Sequence, residues 1–389
     1  MVYEGARAII GPYLATLGAS AALVGAVAGV GEFIGYGLRV GSGYLVQRRR
    51  RYWTWTITGY ALTVLSIPLI GVSNMIAPAL LLYGTERLGK AVRSPAKDTL
   101  LSHASTQTGR GTAFGVHQAM DQTGAVAGPL LLAAVLSLYV GNYRLAFGVL
   151  IVPGAVVLAL LFWLRHRVPD PAAYEVEASG PPAEKAPAPH TGQSSTSSAL
   201  PAGRAFWRVR ADLPPKVRQY IGTVGLLSLG VTAFPLLAYH AQTQGVLSAS
   251  QVPLLFALAM AVDGLSGLAM GRLYDRRGPM VLLLVPLAAA CSAIAFSDNA
   301  ALVWVGVAIW GVVNGVLDST VKAVVTEHVG SAARSIAFGW LALARGFGLL
   351  ASGVLLGVAY DQSTALVVGL LLGINAVALG ALVRVLARL

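Results

Sequence analysis

Apolar runs close to the length of a membrane crossing recur along this whole 389-residue chain, and they choose its solvent. Stretches 53–82, 130–164, 220–238, 251–271, 279–297 and 364–386 approach or exceed the roughly 20 residues that span a bilayer core as helix. Charged residues make up only 11% of the chain, where a soluble domain carries roughly a quarter. The composition excludes a soluble globular protein and specifies a polytopic, all-α membrane protein.

A net charge of +12 would suit a nucleic-acid binder, but its distribution does not. The basic residues stand in short clusters between apolar runs, as the positive-inside rule arranges them. The expected partner is therefore membrane lipid, with no nucleic acid. The single cysteine, Cys291, lies within an apolar run and reads as a buried, inert thiol; it rules out an intrachain disulfide and a multi-cysteine metal site.

Turn signals divide the runs into twelve spans. Their approximate limits are 1–17, 20–46, 52–72, 75–102, 111–138 and 143–165, then 218–241, 249–273, 279–297, 300–328, 333–359 and 363–386. The connections after spans 2, 4, 6, 8 and 10 carry "QRRRR", Arg110, "RHR", "RLYDRRG" and Arg334. The alternate connections "LGAS", "GVSN", "GNYR", "AQTQGVLSAS", "SDNA" and "DQST" hold Arg144 as their one basic residue. This alternation predicts twelve spans in the inner or plasma membrane with both termini cytoplasmic. Residues 168–216, rich in Pro, Ala, Ser and Gly, cannot bury a core and read as a flexible cytoplasmic linker between bundles 1–167 and 217–389. Span 1, compared with span 7, is short at its start; either the span is short or translation begins upstream of Met1.

The halves repeat. "TLLSHASTQTGRGTAFG" (99–115) matches "AVVTEHVGSAARSIAFG" (323–339), pairing Arg110 with Arg334, and "GSGYLVQRRRR" (41–51) matches "AMGRLYDRRGP" (269–279). "GRLYDRRG" (271–278) resembles the G-x-L-x-D-R-x-G loop motif of the major facilitator superfamily. "GYLVQRRR" (43–50) is similar to its first-half counterpart, with Gln47 where that family usually has Asp. "AMDQTGAVAGPLL" (119–131) resembles the family's glycine-rich fifth span through Gly124, Gly128 and Pro129. The resemblance covers the chain outside 168–216. It implies twelve helices in two pseudo-symmetric six-helix bundles around a central cavity that opens alternately to each side. It also implies a cytoplasmic gate formed by Arg48 and Arg49 in the first half and Gly271, Asp275, Arg276 and Arg277 in the second.

Span 4 carries the sharpest anomaly, "GTERLGKAVRSPAKD" (84–98), charged residues within an apolar chain. At about 100° per residue, Glu86, Lys90, Arg93 and Lys97 fall within about 60° of one another, with Arg87 to one side. Charges at bilayer depth cost roughly 2.5 kcal/mol or more each, so the stripe is expected to face protein or water. Glu86 and Lys90, at i and i+4, can pair. His117, Asp121, Gly124 and Gly128 share a face of span 5, where the glycines permit close helix approach and Asp121 can neutralise a cation of span 4. Further candidates for substrate or proton handling are Glu4 and Arg7, Glu32 and Arg39, Asp263, Asp318 and Lys322, and Arg345. The repeat sets Asp121 opposite Arg345 and Asp98 opposite Lys322, which predicts cross-domain pairs that exchange as the gate moves.

Other chemistries lack their residues. "SPAK" (94–97) has no companion motifs of a penicillin-binding enzyme, no histidine pair has helical zinc spacing, and no G-x-x-x-x-G-K-[ST] loop supplies an ATP motor. Neither metal nor cofactor is expected. Trp53, Trp55 and Trp163 read as interfacial anchors. The expectation is a monomeric, non-enzymatic secondary transporter of a small anionic or zwitterionic solute, proton-coupled through carboxylates in apolar surroundings. A multidrug/proton antiporter, or a non-transporting sensor or assembly protein of the same fold, are the alternatives.

Overall fold

In lipid every backbone N–H and C=O must find its partner within the protein, and the helix does so within one segment. The computed structural model describes residues 1–49, 51–104, 110–169, 213–329 and 331–388, and these form helices without a strand. Spans 1 to 5 are single helices: Val2–Thr16, Ala21–Arg49, Tyr52–Val72, Ile76–Ala104 and Arg110–Leu138. Span 6 joins Tyr143–Val149 to Ile151–Arg167, and span 7 joins Pro215–Leu229 to Phe234–Thr243. Span 8 is Gln251–Arg277. Span 9 alternates 3-10 and α-helical turns through Gly278–Leu283, Leu284–Cys291 and Ser292–Phe296. Ala300–His328, Ser331–Gln362 and Thr364–Leu386 complete the twelve.

By length and apolarity alone, 9 stretches of the described residues qualify as membrane crossings. The difference from twelve has three sources. Span 1 has 15 residues, span 4 carries too many charges, and spans 8 and 9 run together as Gln251–Phe296. Side-chain caps close the helix starts on one side of the bundle. Asn142 accepts from Leu145 N, Asn299 from Ala301 N and Leu302 N, and Ser363 from Leu366 N.

Within each half, spans 3 and 4 pack together, as do 2 and 4, 8 and 10, and 7 and 11. Between the halves, span 2 meets span 11, span 5 meets span 8 and span 1 meets span 7. The span 2–11 contact is backbone on backbone: a methyl group on Gly25 would collide with the carbonyl of Gly353, and one on Gly353 with that of Gly25. Lipid offers no hydrophobic drive for helix association, so close packing of this kind holds the halves in register. Within the first half Gly128 makes an equally close approach to Met1 and Gly5, so the expected close approach of span 5 is made to span 1.

Span 7 is unwound at Gly230–Ala233, beside the proline at Pro235 that cannot donate to the preceding turn. The freed carbonyls are met from three directions. Asn375 Nδ2 donates to Gly230 O at 2.9 Å, Ser352 Oγ to Val231 O at 2.7 Å and Trp310 Nε1 to Thr232 O at 2.7 Å.

Two expectations are corrected. Cys291 is exposed on the outer face of span 9, because an apolar run in a membrane protein has a lipid side as well as a core side. Trp53 is buried, donating its indole N–H to Val168 O at 2.9 Å. The expected linker falls, from 170 to 212, outside the described residues, as does Arg50.

Candidate functional site

Between the halves lies a cleft of about 1720 Å³, walled by spans 1 to 6 of the first half and spans 7, 8, 10 and 11 of the second. Glu4, Arg7, Glu32, Arg39, Lys90, Arg93, Lys97, Asp98 and Asp121 line it from the first half. Asp263, Asp318, Lys322 and Arg345 line it from the second. The stripe on span 4 is therefore turned to the cleft through Lys90, Arg93 and Lys97. Glu86 is not: it is 2% exposed and sits behind the wall.

The centre of the first half is an ionic network. Glu32 Oε1 on span 2 lies 3.2 Å from Arg7 Nη2 and 3.5 Å from Arg87 Nη1. Arg7 also reaches Glu4 at 3.8 Å, one turn away on span 1. Arg87, 1% exposed, donates from Nη1 to Tyr3 Oη at 2.6 Å, and its Nε lies 2.9 Å from Glu86 Oε2. A buried charge persists only where partners surround it, and Arg87 has two carboxylates together with the rings of Tyr3 and Tyr83, 4.5 and 4.7 Å away. Sequence periodicity passed over Arg87 because it lies off the stripe. The available signal was local, with Tyr83 four residues before it on the same face. The expected Glu86–Lys90 pair does not form, because Glu86 is taken by its neighbour Arg87 and Lys90 Nζ rests 3.7 Å from the Tyr3 ring centre.

Two other cleft cations use aromatic shelves in the same way. Arg93 Cζ lies 4.2 Å from the Tyr60 ring, and Arg39 Cζ lies 5.3 Å from that of Tyr36. Tyr36 carries a second guanidinium from the opposite half, Arg345 at 5.0 Å.

The predicted exchange pairs have other partners here. Arg345 Nη1 lies 2.6 Å from Asp318 Oδ1, within the second half and not against Asp121. Asp98 pairs with Lys97 at 3.6 Å, not with Lys322. Lys97 Nζ also lies 2.8 Å from His117 Nε2, so His117, and not Asp121, reaches span 4 from span 5. The physical reason is reach: Asp318 and Asp98 each pair with a cation of their own bundle that lies within ion-pair distance. The unwound segment of span 7 is a feature that charge-based reading missed. Val231, Thr232 and Ala233 line the cleft beside Trp310, and the run Gly230 to Pro235 was the sequence signal for it.

The two ends of the cleft differ. At the end where span 2 begins, the halves are joined: Asp361 of span 11 accepts from Ala21 N at 2.9 Å and from Ala22 N at 3.1 Å. A carboxylate thus caps the start of span 2 from the opposite half, where the helix dipole favours negative charge. Tyr143 Oη donates to Gln242 Oε1 at 2.6 Å across the same end. At the other end, Arg48, Arg49, Asp275, Arg276 and Arg277 are exposed, Gly271 is half-buried, and none of the described ion pairs joins these residues across the halves. The side chain of Gln47 lies outside the described residues. Among the described residues no group of three or more His, Cys, Asp or Glu is placed to hold a metal ion.

A twelve-span bundle around a charged, one-ended cleft is the architecture of a membrane transporter. The sequence matches the Major Facilitator Superfamily pattern over residues 1–353. An uncharacterized protein of Mycobacterium tuberculosis is 44% identical over 383 residues, covering 97% of this chain and 88% of its own length. Among solved structures, a crystal structure of a mutant nucleoside transporter NupG superposes with a TM-score of 0.75 at 12% identity, covering 99% of this chain and 96% of that one. A bacterial homologue of the human lysosomal transporter Spinster, crystallised inward-facing and unoccupied, gives 0.68 at 15% identity, covering 99% and 93%. The chain belongs to the Major Facilitator Superfamily and is a multi-pass membrane transporter.

Proposed function

We propose that this protein is a monomeric secondary active transporter, without covalent chemistry, that carries a small anionic or zwitterionic solute by alternating access. Residues 1–167 and 217–389 are the moving bodies in this reading, and 168–216 is the cytoplasmic linker between them. The observation that carries it is the asymmetry of the cleft. Span 11 caps span 2 across the halves at one end, while the basic motifs stand apart at the other. With both termini cytoplasmic, as the distribution of basic loops requires, the open end faces the cytoplasm.

Proton coupling is part of the proposal. Glu32 holds Arg7 and Arg87 together, and a gate movement that draws these cations away would let Glu32 take up a proton in their place. Arg345, on the shared Tyr36 ring, carries such a change toward the second half. A multidrug antiporter with a mainly apolar cavity fits less well, since charged side chains from thirteen positions line this cleft. The test is reconstitution in proteoliposomes with an internal pH dye, screened against metabolite and drug panels. Solute-driven proton movement that disappears in Glu32→Gln supports the reading. Solute binding with no flux of either species assigns the chain to the sensor class.

A further inference from the structure

Most of the cleft charges that lack an ion pair are sorted by wall, with Lys322 of span 10 as the exception. On spans 2 and 4, Arg39, Lys90 and Arg93 line the cleft without an acidic partner at ion-pair distance, each laid on a tyrosine instead. A ring face steadies a cation but does not neutralise it, so this wall keeps its positive charge. Spans 5 and 8 pack against each other, and Gln122 of span 5 lies beside Gly264 of span 8. From them Asp121 and Asp263 line the cleft, and neither belongs to an ion pair of the described residues. The other cleft carboxylates are engaged: Glu4 and Glu32 with Arg7, Asp318 with Arg345, and Asp98 with Lys97. Lys322 of span 10 also lines the cleft without an ion pair among the described residues, one turn beyond Asp318.

A purely anionic solute would satisfy spans 2 and 4 and leave Asp263 without a counter-charge, whereas Asp121 has the Met1 amino group nearby; a cation would leave the basic wall unmet. A solute bearing both charges satisfies the two walls together. Resting on the transporter reading above, we propose that the substrate is a zwitterion. Its carboxylate is taken by Arg39, Lys90 and Arg93, and its ammonium by Asp263 with Asp121 beside it.

The experiment reads the two walls without knowing the solute. In a Cys291→Ser background, which removes the native thiol, a single cysteine is placed by Ser94→Cys on span 4 or Gly264→Cys on span 8, both cleft-lining positions. A methyl group at Gly264 meets Gln122 at 3.5 Å, ordinary contact, so the substitution is tolerated. Reaction rates are measured with sulfonatoethyl, trimethylammonioethyl and methyl methanethiosulfonate. The anionic reagent is expected to lead at Ser94→Cys and the cationic one at Gly264→Cys. Lys90→Gln or Arg93→Gln should shift the first preference by about fivefold per charge removed, and Asp263→Asn should abolish the second. The same preference at both sites, or preferences untouched by these substitutions, overturns the zwitterion assignment while leaving the transporter reading intact. Failure of all three reagents at both sites, in protein that elutes as a single species, means that no open cleft exists and overturns the cytoplasm-open, alternating-access reading on which the proposal rests.

Discussion

Arg87→Gln removes a cation with two carboxylate neighbours, and the structure says which neighbour suffers. Glu32 lies 3.5 Å from Arg87 but keeps Arg7 at 3.2 Å, so it loses only part of its compensation. Glu86 lies 2.9 Å from Arg87, has no second ion pair, is 2% exposed and has its Oε1 without a hydrogen-bond partner. Breaking a buried pair by removing one member costs about 3–5 kcal/mol, chiefly through the charge left behind. The bond to Tyr3 Oη and the two ring contacts lie within that loss. For a cost of about 4 kcal/mol the apparent melting temperature in detergent should fall by about 4–8 °C. The penalty belongs to Glu86, so Glu86→Gln added to Arg87→Gln should restore most of the lost stability, and Glu32→Gln added instead should not. Thermal unfolding followed by tryptophan fluorescence compares the four proteins. Equal rescue by both glutamines, or an Arg87→Gln protein as stable as its parent, would refute the reasoning.

Other outcomes follow from the ends of the cleft and from span 7. Asp361→Ala withdraws the cap from Ala21 and Ala22, a cap of this kind contributing about 1 kcal/mol, so opening at that end should rise about fivefold. Electron–electron distances between spin labels at Leu17 and Gln362 report it, and an unchanged distribution would count against a cross-half latch. Gly25→Leu cannot meet Gly353 as closely and should hold that end apart. Uptake should then fall to background while the protein still inserts and elutes normally; wild-type uptake would show that the contact is dispensable. Asn375→Ala leaves the carbonyl of Gly230 unmet at a cost of about 1–3 kcal/mol, read as a lowered unfolding temperature.

The neighbours of Glu32 show how the network couples three spans. Arg7 comes from span 1, Arg87 from span 4 and Glu32 from span 2, so a change in one charge alters packing among all three. Coupling of this kind needs an element with two arrangements, and under the alternating-access proposal the cross-half cap by Asp361, formed in this structure, is the contact that opening of that end would break.

The sequence by itself determined the solvent, the number of crossings and the repeat. Those follow from local quantities, the length of apolar runs and the placing of basic residues, which do not depend on neighbours distant in the chain. Helix periodicity also turned Lys90, Arg93 and Lys97 toward the cleft, because 3.6 residues per turn is a property of the backbone alone. Which charge meets which was decided only in three dimensions. Glu86 and Lys90 are correctly spaced to pair, yet Arg87 and Tyr3 outcompete them; Asp121 and Arg345 are related by the repeat, yet Asp318 stands nearer to Arg345. The start of span 2 and the end of span 11 lie most of the chain apart, and only the packing of the bundles brings the Asp361 carboxylate onto two free amides. Ionic partnerships in a membrane interior go to whichever group is close and desolvated with the charge, and distance through space cannot be counted along a sequence.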